Sequence, residues 1–289
     1  MDFFEQEESA RKRSRLLVVL FILAVAGIIL TVYLASTIFW FAYLAGKLHA
    51  DTFRMWDPRL MAAVAFGTGT IIGLGSLYRI STLRRGGGEA VAGFLGGRLL
   101  DRSTRNADER RLLNVVEEMA LASGIPVPAV FVLEKERSIN AFAAGYSRDH
   151  AVIGVTRGCM ELLSRDELQG VIGHEFSHIL NGDMLLNIRL MGLVHGILVI
   201  ALIGYMLLRG GRSSRKGGSQ IVLIGAILYV VGYLGVIFGK IIRAAVSRQR
   251  EFLADASAVQ FTRNPEGIAG ALKKIGGLMY GSRIRRRAR

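Results

Sequence analysis

Four long runs of apolar residues alternate with polar segments along this chain. None of the four contains Asp, Glu, Lys or Arg, although the third includes His195. A helix needs about 20 predominantly apolar residues to cross a bilayer. We therefore predict four transmembrane helices, at residues 16–45, 60–78, 191–208 and 221–238.

The first run follows a polar start that ends in Arg11, Lys12, Arg13 and Arg15. A basic start is also typical of a signal peptide, but the apolar core of a signal peptide has only about 7 to 15 residues and precedes a cleavage site of small residues. The run at 16–45 is longer, and no such site follows a core of that length. It predicts a retained transmembrane helix.

The polar segment at 79–189 predicts a soluble domain with both helices and strands. Apolar residues recur at helical spacing over 108–123, where Gly124 and Pro126 end the helix. The glycines at 86–88 predict a linker to the preceding span. Three short apolar runs predict strands of one small sheet, at 127–133, 140–145 and 151–155. In the second span, glycines predict close approach of another helix at Gly67, Gly69, Gly73 and Gly75.

Composition supports a membrane protein. A mean hydropathy of +0.38 with 51% hydrophobic residues is too apolar for an ordinary soluble chain. The 37 Lys and Arg against 23 Asp and Glu give a net charge of +14, and many of these basic residues flank the apolar runs, as is typical of membrane spans. No nucleic-acid motif is present, so we predict no nucleic-acid partner. Cys159 is the only cysteine, which excludes an intrachain disulfide and a Cys-rich zinc site.

The segment at 174–178 has the sequence His-Glu-Phe-Ser-His. Ser164 and Glu167 form a capping-box signature, which predicts that a helix begins there and runs through this segment. On a helix the two histidines lie on one face and can share a zinc ion, while Glu175 is offset and can reach a metal-bound water as general base. The alternative is a chance match with ordinary histidines. Apolar neighbours on the same helix favour the zinc site, namely Val171, Ile172, Phe176, Ile179 and Leu180.

A zinc site that keeps one position open for water needs a third protein ligand. Glu251 and Asp255 lie one helical turn apart, so Glu251 can complete a His-His-Glu set and Asp255 can accept the free ring N–H of a ligand histidine. The alternative is a solvated helix in which Arg248 pairs with one of these carboxylates. A metzincin is excluded, because the sixth residue after His178 is Met184 and not histidine.

Some residues keep two interpretations. Asp183 is either a second carboxylate behind a ligand histidine or a helix-end residue. Arg248 and Arg250 are weak candidates for an oxyanion donor. His195 lies within the third apolar run, where an ionisable residue is a functional candidate, but a hydrogen bond between helices explains it equally well.

Taken together, the segments at 140–145, 174–183 and 247–255, placed among four apolar runs, resemble the HtpX and Ste24-type family of integral-membrane zinc metallopeptidases. The resemblance covers most of the chain. It implies a zinc endopeptidase with Zn²⁺ as cofactor. The residues that it implies are His174, His178 and Glu251 as zinc ligands, Glu175 as catalytic base, and Asp255 and Asp183 as carboxylates behind the ligands.

The same resemblance implies a mainly α membrane protein with about four transmembrane helices and a gluzincin-like α+β zinc-protease domain that carries a small sheet. Asn140, Ala141, Phe142 and Ala143 resemble an edge strand along which a substrate peptide would add by β-pairing. We divide the chain into two N-terminal spans, a catalytic domain, two further spans, and a second catalytic helix with a basic tail, at 1–78, 79–190, 191–239 and 240–289.

The expected setting is a bacterial inner membrane, with quality control and stress response as the biological role. Basic residues before the first span and after the second place the domain at 79–189 on the cytoplasmic side, although the basic loop between the third and fourth spans opposes this. Partners would be the lipid bilayer and polypeptide substrates, above all membrane proteins, because both zinc-bearing helices adjoin spans.

One departure from the family concerns the C-terminus. Members often carry a further stretch with a His-Pro-Pro-like element, but no histidine follows His195, so this chain can be the core of a longer protein. Two other functions compete. A zinc-containing scaffold or chaperone-like protein would not need Glu175, and a transporter would place its acidic residues and histidines inside the apolar runs.

Overall fold

The computed structural model describes residues 19–38, 56–211 and 218–287. These residues form two compact units. One, the polar unit, contains residues 83–187 and 248–287, and the other, the apolar unit, contains the described residues of 19–82 and 188–247. The elements in chain order are α1 (Val19–Ile38), α2 (Pro58–Arg85), α3 (Gly87–Phe94), β1 (Arg98–Leu99), α4 (Ala107–Ser123), β2 (Ala129–Leu133), β3 (Ala141–Ala144), β4 (Val152–Thr156), α5 (Arg157–Leu162), α6 (Arg165–Leu180), α7 (Asp183–Gly211), α8 (Gly218–Thr262) and α9 (Pro265–Arg287).

Helices α1, α2, α7 and α8 are long and apolar enough to cross a membrane by their length and composition. This confirms the four predicted spans over the described residues and the assignment to integral membrane proteins. Residues 16–18 and 39–45 of the first predicted span lie outside the described part of the chain. The mainly helical architecture with one small sheet is also confirmed.

Local sequence explains where the helices of the polar unit begin and end. The Asn106 side chain caps α4, and Gly124 ends it in the left-handed conformation with φ of 67°. Ser164 and Glu167 form the predicted capping box at the start of α6. Each contact satisfies backbone groups that the helix itself leaves unpaired.

The four strands form one mixed sheet in the order β1-β2-β4-β3. β2 and β4 pair in parallel, whereas β1 and β3 pair antiparallel on either side of them. The central strand β4 is buried along its whole length. Strand β3 pairs only with β4, so its other edge carries no strand among the described residues. The core of the polar unit combines this sheet with α4 and α6, through residues such as Val115, Val132, Ile153, Ile172 and Phe176.

Two predicted features differ in the structure. Residues 86–88 are not an extended linker, because α3 begins at Gly87, immediately after α2. Gly88 packs so closely on β3 that a Cβ atom there would lie 2.6 Å from the carbonyl oxygen of Ala144. The segment at 240–289, expected to hold a second catalytic helix with a basic tail, is also not one continuous helix. Arg263 has a positive φ of 49°, and Asn264 caps α9 by accepting a hydrogen bond from the backbone N–H of Gly267 at 3.3 Å.

Of the four glycines predicted to let another helix approach closely, only Gly75 is in such a contact. A Cβ atom at Gly67, Gly69 or Gly73 would meet no described atom within 4 Å, and only Gly75 approaches α7. The other glycines of this unit that are in close contact lie on α7 and α8. A Cβ atom at Gly204 of α7 would overlap the backbone nitrogen of Tyr229 on α8. Small residues let the two backbones touch where apolar side chains cannot.

Because Gly204 has no room for a side chain, Gly204→Ala should destabilise the packing of α7 on α8 by about 1–3 kcal/mol. The thermal unfolding midpoint of the detergent-purified protein measures this. Gly210 is the matched control on the same helix, since a Cβ atom there meets nothing within 4 Å. If Gly204→Ala and Gly210→Ala unfold at the same temperature, the helices are not packed as described.

Candidate metal centre

Helix α6 carries the two motif histidines on one face, next to its buried apolar side. Phe176 and Ile179 are fully buried, whereas His174 and His178 are about one-fifth exposed. The two histidine rings lie nearly perpendicular, with centroids 4.8 Å apart. Their Nε2 atoms are 3.2 Å apart. Both nitrogens thus face the same small volume.

Glu251 of α8 reaches this volume from another part of the chain. Its Oε2 atom lies 3.3 Å from Nε2 of His174 and 3.9 Å from Nε2 of His178. Within the described ranges, these three residues are the one group of three or more His, Cys, Asp or Glu side chains placed to hold a metal ion together. The structure therefore brings together the two histidines and the glutamate that the sequence singled out.

The donor set and its spacing fit zinc. Zn–N and Zn–O bonds are about 2.0–2.2 Å long, so two donors of one tetrahedral zinc lie roughly 3.3 Å apart. The His–His and His174–Glu251 distances match this value, and the His178–Glu251 distance is somewhat longer. Two imidazoles and one carboxylate leave the fourth tetrahedral position open, as in catalytic zinc sites.

A carboxylate lies behind each histidine. Nδ1 of His174 is 2.9 Å from Oδ1 of Asp255, and Nδ1 of His178 is 2.9 Å from Oδ2 of Asp183. Each carboxylate favours the tautomer that carries its proton on Nδ1 and leaves Nε2 free to bind a metal. Asp183 fits both interpretations that the sequence left open. It is a helix-end residue because it starts α7, and it is also a carboxylate behind a histidine because it contacts His178.

Glu175 lies beside the histidines and the edge strand. Its carboxylate lies near the backbone N–H of Ala143 in β3. Burial raises the pKa of Glu175 above its ordinary value, while the neighbouring His174 and His178 oppose this rise. A carboxyl group with a raised pKa next to an open metal position is suited to accept and return a proton near neutral pH.

A cavity of about 150 Å³ adjoins the site. His174, Glu175 and Asp255 line one side of it. The rest of its wall comes from the start of β3, from α6 and from α9, and is mostly aliphatic. The remaining lining residues are Ile139, Asn140, Ala141, Val171, Ile268, Ala271, Leu272 and Ile275.

The other candidates from the sequence have separate places. His195 belongs to the apolar unit, where its ring lies 6.4 Å from that of Tyr78. Arg248 is exposed and forms no ion pair with any described residue. Arg250 instead pairs with Asp183, with Nη1 3.0 Å from Oδ1. Sequence reasoning missed this pair, because the two residues lie on helices far apart along the chain.

Fold and donor set define a helical membrane protein with a His-His-carboxylate metal centre on a mixed α and β unit. Residues 106–281 match peptidase family M48. The chain therefore belongs to peptidase family M48, and its relatives place it among the HtpX-like members.

Several curated relatives carry the name Protease HtpX homolog. The one from Listeria monocytogenes is 44% identical over 176 residues, which is 57% of this chain and 58% of the relative. The one from Thermoanaerobacter pseudethanolicus is 43% identical over 182 residues, 59% of this chain and 58% of the relative. The one from Streptococcus equi subsp. equi is 35% identical over 238 residues, 80% of this chain and 74% of the relative. The chain thus spans a little under three fifths of the length of the first two relatives.

Zinc binding should depend on pH through His174. Burial lowers the pKa of His174, but the carboxylates of Asp255 and Glu251, with the charge of Glu175, outweigh burial and raise the pKa to about 10. Below that pH a metal ion must displace a proton from the ring. The apparent zinc affinity of the metal-free protein should therefore rise about tenfold per pH unit between about pH 7 and pH 9.

Competition with a chelator of known pH dependence measures this affinity in detergent. In Asp255→Asn the rise with pH should be smaller, because the largest contribution that raises the pKa of His174 is removed. An affinity that does not change with pH in the unmodified protein would contradict the expectation.

Proposed function

We propose that this protein is a membrane-embedded zinc endopeptidase that hydrolyses peptide bonds of misfolded or membrane-associated proteins. The observation that carries the proposal is the position of Glu175 beside three side chains, His174, His178 and Glu251, whose donor atoms can share one metal ion. The curated relatives, which are named proteases, support the same reaction.

Zinc would be held by His174, His178 and Glu251. When bound, it would make a water molecule more acidic and polarise the scissile carbonyl group. Asp255 and Asp183 keep the two histidine rings in the orientation that this binding requires. Removal of either carboxylate should weaken the site without removing a ligand.

Glu175 is the proposed general base. Its carboxylate takes a proton from the attacking water as the new C–O bond forms, and then gives that proton to the nitrogen of the leaving amine as the C–N bond breaks. Burial raises the pKa of this carboxyl group, which makes it a better proton acceptor in the first step. It lies near the backbone of Ala143, in the strand along which the substrate would lie.

The substrate would add to the sheet at the free edge of β3. This edge includes Ala141, Phe142 and Ala143, with Asn140 immediately before them. An extended peptide can pair with such an edge through its backbone, and this pairing is largely independent of sequence. The adjacent cavity would take one aliphatic or aromatic side chain, since an apolar cavity of about this volume accommodates a benzene molecule.

The membrane setting supports a role in quality control. Basic residues at 11–15 and after α2 favour a cytoplasmic position for the polar unit in a bacterial inner membrane. Helix α8 carries both an apolar span and Glu251, so membrane proteins are the expected substrates. Induction under stress that damages membrane proteins would fit this role.

A zinc-containing scaffold without proteolytic activity is not favoured. A structural zinc site fills all four positions with protein ligands, whereas the described cluster supplies three. Such a protein would also have no use for Glu175.

Glu175→Gln should abolish cleavage and keep the metal. We expect the rate of casein cleavage to fall at least about 100-fold, because the general base is lost, while zinc content stays near one ion per chain. Gel-based proteolysis and elemental analysis of the detergent-purified protein measure the two quantities.

Glu117→Gln, at an exposed position of α4, is the control and should cleave normally. Equal cleavage by Glu175→Gln would show that Glu175 is not the base. Unchanged zinc content after combined substitution of His174, His178 and Glu251 by alanine would show that the metal binds elsewhere.

The side chain preference should depend on the cavity wall. Leu272 lines the cavity and is 54% exposed, so Leu272→Asp should be tolerated by the fold. We expect cleavage next to aliphatic residues to fall about tenfold, since a charge at an apolar subsite disfavours an apolar side chain by more than 1 kcal/mol. Mass spectrometry of casein fragments gives the preference.

Leu121→Asp on α4 is the control, because Leu121 is 84% exposed and does not line the cavity. Identical cleavage sites for the unmodified protein and Leu272→Asp would mean that this cavity does not select the substrate.

A further inference from the structure

Asp183 uses its two carboxylate oxygens for two different partners. Oδ2 faces Nδ1 of His178 at 2.9 Å, and Oδ1 faces Nη1 of Arg250 at 3.0 Å. The Asp183 side chain is only 11% exposed, and that of Arg250 is 22% exposed. The contact is therefore largely shielded from water, and its geometry is fixed by protein atoms.

An isolated carboxylate in such a position would be unfavourable and free to rotate. Removing a charged group from water costs several kcal/mol unless it is paired, and a hydrogen bond with His178 involves only one of its two oxygens. The guanidinium group of Arg250 supplies a counter-charge through an ion pair with Oδ1, which forms no hydrogen bond with a described residue. The other oxygen is then held toward His178.

The two histidines are thus supported in different ways from the same helix. Asp255 of α8 contacts His174 directly. Arg250 of α8 reaches His178 only through Asp183, which starts α7. Arg250 also directly precedes Glu251, so a stretch of about one and a half turns of α8 supplies a ligand and both supports.

We propose that Arg250 is a positioning residue of the metal centre, which acts through Asp183 to hold the His178 ring in its metal-binding orientation. This inference rests on the proposed zinc site. It assigns Arg250 a role in binding the metal ion itself, and not in stabilising an oxyanion.

The test is metal binding by the full-length chain in detergent, with Co²⁺ as a spectroscopic probe and Zn²⁺ by competition. Arg250→Gln should weaken metal affinity about 10- to 100-fold, as loss of a group behind a metal ligand does. It should also change the visible absorption bands of bound Co²⁺. Asp183→Asn should weaken binding at least as much, and the double variant should bind no more weakly than Asp183→Asn alone.

Two further variants separate positioning from general damage. Arg250→Lys should keep the affinity within about threefold, because the ion pair joins Nη1 to Oδ1 of Asp183 and an ammonium group can provide one such contact. Arg248→Gln is the matched control, since Arg248 is exposed two residues away on α8 and forms no ion pair with a described residue. Its affinity should be unchanged.

Three results would overturn the inference. The Arg250→Gln variant could bind metal normally. The double variant could bind metal more weakly than Asp183→Asn alone. Finally, Arg250→Gln could lower the unfolding temperature while leaving the Co²⁺ spectrum and the metal affinity unchanged. Failure of the proposed protease function would give a different result. The unmodified protein would then bind metal normally but would not cleave casein.

Nitrogen NMR of ¹⁵N-histidine-labelled metal-free protein gives a reading that needs neither metal nor activity. The Nδ1–H form of His178 should be the main tautomer in the unmodified protein and should lose population in Arg250→Gln. An unchanged His178 signal would also count against the inference.

Discussion

The metal centre depends on how closely the C-terminal helices approach α6. Two glycines of α6 make this approach possible. A Cβ atom at Gly170 would lie 2.6 Å from the backbone nitrogen of Ile268 in α9, and one at Gly173 would lie 3.2 Å from Thr262 at the end of α8. Because α8 can lie this near the histidine helix, Glu251 reaches the two Nε2 atoms.

This packing also explains why α8 and α9 are two helices. The break at Arg263 and Asn264 turns the chain so that α9 packs on α6. Lys274 of α9 then donates hydrogen bonds to the carbonyl oxygen of Leu162 and to Glu167 in the capping box of α6. The same helix forms one wall of the cavity beside Glu175, so the contacts that hold the site together also shape the space next to it.

The charged and titratable side chains of the site follow one another outward from the proposed metal position. The two histidines and Glu251 face inward, and Asp255 and Asp183 lie behind the histidines. Arg250 then balances Asp183, which is the less exposed of these two carboxylates. A partner of opposite charge or a hydrogen-bond donor matters most for His174, His178 and Asp183, whose side chains are less than one-fifth exposed, whereas Glu251 and Asp255 are about half exposed.

Local patterns in the sequence determined the elements that carry the chemistry. Helical spacing placed His174 and His178 on one face, the Ser164 and Glu167 pair marked the start of their helix, and uncharged runs marked the spans. These features depend on residues within a few positions of one another, so periodicity and capping reveal them. The need for a third ligand and the spacing of Glu251 and Asp255 made Glu251 a candidate, and the resemblance to HtpX and Ste24-type proteins added the edge strand as an expectation.

Only the tertiary structure decided which carboxylate meets which histidine, that Arg250 pairs with Asp183, and which glycines bring helices together. Gly75 of α2 makes a close contact, but its neighbours Gly67, Gly69 and Gly73 do not. The physical reason is that these contacts join residues far apart in the chain. Which residues meet depends on how the helices and the sheet pack. The spacing of residues within one segment does not indicate that packing.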